Sequence, residues 1–192
     1  MAALVVALVI TVVFPELSLS ASAVFDLPPR GVGTPELVAI ALASVLPAIT
    51  TPRFDGRELT AHLSARLGHL AYSTVILAAP LAVLPAWYVV ITARHPDIQF
   101  PPLHGLVGNV TVFSCVGAVL CLALGPLVSA AATPALFALF VVTQQALPES
   151  LLTSQFANGR SWHTNYWMTT ATALLTLALS WRLRAVPWPH RP

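Results

Sequence analysis

The chain contains no lysine, and charge of either sign is scarce. Nine arginines and seven acidic residues make up 8% of the 192 residues, against roughly 25% in an average globular domain. Net charge is +2 and the arginines are scattered, which excludes a nucleic-acid binder built on a basic stripe. There are two cysteines, Cys115 and Cys121, six apart in one apolar run. On a helix that spacing puts them on different faces, so they read as small core residues rather than a disulfide or a metal pair. Catalytic signatures are missing too: the sequence holds no G-x-S-x-G, H-E-x-x-H, C-x-x-C or Gly-rich phosphate loop. His104 and His163 have no carboxylate at a useful spacing. The chain therefore reads as a non-enzyme without catalytic residues, metal or cofactor.

What is abundant is apolar residue. The chain is 57% hydrophobic with a mean hydropathy of +0.80. Apolar runs recur about residues 2–24, 35–51, 70–93, 105–124, 126–147 and 164–181, and a membrane span needs roughly 17–25 such residues. The expected fold is therefore all-α, a single polytopic domain over 1–192 with six transmembrane helices. The first run, followed by Ala21-Ser22-Ala23, also resembles a signal peptide; no Lys or Arg precedes it, and a first span broken at Pro15-Glu16 is the reading preferred. With six spans, Arg53, Arg57, Arg66, Arg182, Arg184 and Arg191 share one side and Arg30, Arg94 and Arg160 the other. The positive-inside rule then places both termini in the cytoplasm.

Several local features stand out. Gly125-Pro126 joins two apolar runs and predicts a tight helical hairpin. Gly117, Cys121 and Gly125 recur every four residues, a spacing that lets helices approach closely. Residues 55–69 read as an amphipathic helix: Asp55 and Glu58 form a capping-box variant, and Leu59, Leu63, Leu67 and Leu70 share a face. That helix either lies at lipid headgroups or docks a cytoplasmic partner. Pro80 and Pro85 bracket the middle of the third run and predict a kink. Glu16 and Glu36, each following a proline near a run's end, are the only acidic candidates at membrane depth. Asn109, Gln144 and Gln145, with the aromatic run at 162–167, gather on the predicted outer side. They read as interfacial anchors or as a translocation path or outer gate.

This order of parts resembles the membrane subunit of an actinobacterial ABC-2-type ABC exporter. Thr51-Pro52-Arg53-Phe54 after the second run, Gly105 to Asn109 opening the fourth and Trp162 to Trp167 opening the last resemble small members of that family. The resemblance implies a multi-pass permease in a bacterial plasma membrane. It further implies a separate ATP-binding subunit, a second permease copy or homologue, and coupling through Phe54, Asp55, Glu58 and Arg66. The alternative from another class is a non-transporting integral membrane scaffold, immunity or assembly protein.

Overall fold

The structure, a computed structural model, describes residues 2–22, 29–50, 74–98, 103–147 and 164–182. The amphipathic segment 55–69, with Phe54, Asp55, Glu58 and Arg66, lies outside the described residues, as do 148–163. Helix α1 (Ala2–Val13) is followed by a Pro15-Glu16 turn and strand β1 (Ser18–Ala21). Strand β2 (Arg30–Gly33) pairs antiparallel with β1, Ser18 opposite Gly33 and Ala21 opposite Arg30. Helix α2 (Thr34–Thr50) follows β2 directly. A 3-10 turn (Ala79–Ala82) leads into α3 (Val83–Arg94). Then come α4 (Leu103–Leu124), α5 (Pro126–Ala146) and α6 (Tyr166–Arg182).

Local chemistry explains the breaks. Thr34-Pro35-Glu36 starts α2, with a proline where no helical N–H is needed and an acid against the positive helix end. Thr34 turns its hydroxyl back to the carbonyls of Phe14 and Leu17, at 2.7 and 2.9 Å, fixing the α1–β1 turn to the start of α2. Pro80 removes a ladder donor, and the chain answers with the 3-10 turn. Gly125 alone separates α4 from α5; its φ of 91° is a conformation that L side chains rarely adopt.

The core lies in two apolar clusters. Ala7, Ala39, Leu42, Leu46, Val83, Leu84 and Val110 join α1, α2, α3 and α4. Val32, Ile40, Val112, Phe113, Phe137, Phe140 and Val141 join β2, α2, α4 and α5. Within the second, Phe113 meets Phe137 and Phe140 edge-on, with ring centroids 5.2 and 5.0 Å away. The small-residue stripe of α4 is used inside the chain. Gly117 abuts the Ala43 carbonyl of α2, and Cys121 Sγ lies 3.5 Å from the Pro47 carbonyl.

This architecture corrects the expected six-span fold. Among the described residues, two helical stretches are long and apolar enough to cross a membrane: Thr74–Arg94, which runs through the 3-10 turn into α3, and α5, Pro126–Ala146. Ala2–Val13, Thr34–Ile49 and Gly105–Cys121 are shorter apolar stretches. The 12 residues of α1 reach about 18 Å and the 17 of α2 about 25 Å, at about 1.5 Å per residue. A bilayer's hydrocarbon core is about 30 Å thick. The first run does not continue as helix to residue 24 either, because Ser18–Ala21 pairs as a strand. Instead of six spans, the helices form a bundle packed over long sequence separations. The multi-pass plasma-membrane localisation with cytoplasmic termini rested on the span count and falls with it.

Candidate functional site

Five buried polar residues, Arg30, Glu36, Asn109, Gln144 and Thr164, converge on one charged centre. In β2 the period-two alternation buries Arg30 and Val32 and exposes Gly31, so the guanidinium is carried into the bundle. Glu36, in the first turn of α2, meets it there: Arg30 Nη2 lies 2.7 Å from Glu36 Oε1, with side chains 2% and 0% exposed. Arg30 Nε donates to Gln144 Oε1 of α5 at 3.0 Å, and Nη1 donates to the Gly31 carbonyl. Asn109 Nδ2 of α4 donates to the same Glu36 oxygen at 2.8 Å. Asn109 Oδ1 accepts from the Thr164 amide at 3.0 Å and the Thr164 hydroxyl at 2.7 Å. One network thus links β2, α2, α4, α5 and the residues just before α6. Glu36 Oε2 is buried and, among the described residues, has no hydrogen-bond partner.

A second set of contacts holds the Pro15-Glu16 turn to α3. Trp87 Nε1 donates to the Pro15 carbonyl at 2.8 Å, and Arg94 Nη2 donates to the Val12 carbonyl at 2.9 Å. His95 Nε2 lies 2.8 Å from Glu16 Oε1. The His95 hydrogen bond, then its charge, hold the Glu16 carboxyl below its ordinary 4.5 against the cost of desolvation, with a lesser lowering by the Arg94 charge. A lowered folded-state value means the contribution to stability is complete above pH 4.5 and fades as pH falls through the lower value. Thermal denaturation of the parent and of His95→Ala is therefore expected to differ by a small, salt-sensitive margin above pH 4.5 and to converge in stronger acid. Identical pH profiles would count against the contact.

Asn109 and Gln144, singled out as outer-side polar residues, are joined through Arg30 and Glu36. Gln145 is buried next to Gln144. The member that sequence reasoning missed is Arg30, assigned to an outer loop. The available signal was its place six residues before Glu36 in a chain so poor in charge. Both cysteines are free and buried. Burial pushes the Cys115 thiol up, against a lowering hydrogen bond from Thr176. The described hydroxyls largely serve the backbone: Thr11, Ser129 and Thr133 donate to the carbonyls of Ala7, Gly117 and Ser129.

No protein-family model, curated protein or solved structure matches this chain. The resemblance to an ABC-2 permease is therefore corrected. It was a likeness of layout, and the layout required six spans that the bundle lacks. The exporter function falls with it, and so do the separate ATP-binding subunit, the second permease copy and the lipid bilayer as partners. The integral membrane scaffold required the same spans and is overturned for the same reason.

Proposed function

We propose that this chain is a non-catalytic binding module, a helical bundle fixed by its buried ion pair and acting through association with another protein. The observation that carries this reading is the division of side chains on α5. Ser129, Thr133, Gln144 and Gln145 face inward with Phe137 and Phe140, while Leu127, Val128, Leu136, Leu139 and Val142 are exposed. On α5 these polar groups are thus engaged inside, and its outer face offers apolar area of the kind that marks an interaction surface. Trp167 of α6, 84% exposed, adds an aromatic anchor of a type enriched in interfaces.

Crosslinking in the native cell, followed by sizing and mass spectrometry, tests this. The parent chain is expected in a defined heteromeric assembly, and Leu139→Glu, at an exposed site, is expected to leave it while keeping its helical signal. Recovery of the parent as a lone chain, or bound to lipid vesicles without a protein partner, would overturn the proposal.

A further inference from the structure

One buried oxygen of the polar centre meets no hydrogen-bond donor among the described residues, and its surroundings restrict the chemistry that can reach it. Glu36 Oε1 receives both Arg30 and Asn109, whereas the buried Oε2 has no partner among the described residues. An unpaired buried acceptor is destabilising, more so when charged, and native interiors rarely leave one so. An ionised carboxylate only accepts hydrogen bonds, so the occupant must donate. Arg30 and Glu36 already cancel in charge, and Arg30, Glu36, Asn109 and Gln144 are all at most 2% exposed. A cation would leave that region with net charge at a high desolvation cost, and an anion would face Oε2 directly. Ile40, one turn after Glu36, and Phe140, one turn before Gln144, belong to the adjoining apolar cluster. Apolar neighbours strengthen a hydrogen bond made there.

We propose that Glu36 Oε2 is a binding site for an uncharged O–H or N–H donor from outside the chain. Two sources share this chemistry: water, and a small alcohol or primary amide. The organic source rests on the reading of the chain as a binding module; water does not.

A crystal structure of the full chain at a resolution that shows water, with native mass spectrometry of the same preparation, tests the proposal. The expected result is density about 2.6–3.1 Å from Oε2. A single peak with unchanged mass identifies water; extended density with added mass identifies an organic donor. Soaking with acetamide probes the organic source directly, and displacement of the single peak would show that the site accepts an amide. The double variant Arg30→Met with Glu36→Leu, which removes acceptor and counter-charge together, is expected to stay folded and lose the occupant. An Oε2 with no atom within hydrogen-bond distance, or one met by a donor of the chain itself, would overturn the proposal. Occupancy is read at the oxygen, so loss of the protein partner in the crosslinking test would not be mistaken for failure here.

Discussion

Glu36→Ala and Arg30→Ala are each expected to destabilise the fold by about 3–5 kcal/mol, because each strands the opposite charge in the interior. Whole-domain stabilities are about 5–15 kcal/mol, so either change removes a large share. Glu36→Ala also leaves Asn109 Nδ2 without the acceptor it uses at 2.8 Å. Arg30→Ala leaves Gln144 Oε1 without its 3.0 Å donor. The double variant Arg30→Met with Glu36→Leu behaves differently. It removes both charges while keeping most of the volume, so no charge is stranded; it still takes the acceptor from Asn109 Nδ2 and the donor from Gln144 Oε1, and it is expected to cost less than either single change. Denaturant unfolding of the parent, Arg30→Met, Glu36→Leu and the double variant forms a double-mutant cycle with a large coupling energy, because each single change strands the opposite charge and the double does not. Singles that each cost under about 1 kcal/mol would place the pair in solvent and contradict the burial on which the site rests.

The sequence showed the local features of this bundle and misled about its context. Gly125-Pro126 predicts a hairpin, and one glycine separates α4 from α5, because backbone conformation there is decided by the residues themselves. The Gly117–Cys121 stripe predicts close helix packing, and α2 supplies the neighbour. What sequence could not settle is what covers an apolar helix: a run such as that in α2 looks the same in a protein core and in lipid. Ending a helix at Val13 and pairing Ser18–Ala21 with Arg30–Gly33 depends on a partner strand, and hydropathy carries no such information. The polar centre was legible only in fragments. Asn109 and Gln144 drew attention as polar residues in apolar surroundings, but their joining through Arg30 spans 114 residues in one hydrogen bond. Only the near pair, Arg30 and Glu36, was close enough in sequence to be read as one unit.

Gly117→Ala is expected to be the most damaging small substitution away from the ion pair. A Cβ at Gly117 would stand 2.4 Å from the Ala43 carbonyl oxygen and 3.3 Å from its carbon. Both are backbone atoms of a packed helix, so relief requires α2 and α4 to move apart. Overpacking of this kind costs about 1–3 kcal/mol. The place of contact has its own cause in the sequence. Pro47 has no N–H to give to the residue four before it, so the Ala43 carbonyl lacks its usual helical donor, and a bare glycine backbone can approach it. Ser129 Oγ donates to the Gly117 carbonyl at 2.8 Å, so separation of α2 from α4 would also strain the α4–α5 contact. Gly31→Ala is the control: a Cβ there meets nothing within 4 Å, and the change is expected to lie within about 0.5 kcal/mol of the parent. Gly125→Ala should cost about 1–3 kcal/mol by a different route, its φ of 91° with ψ of 167°, a backbone region essentially restricted to glycine. Pairing Gly117→Ala with Ala43→Gly separates the two causes. The clash is with the backbone, so removing the Ala43 methyl should not rescue stability. Full rescue would mean that side-chain crowding sets the α2–α4 distance and that the carbonyl contact does not.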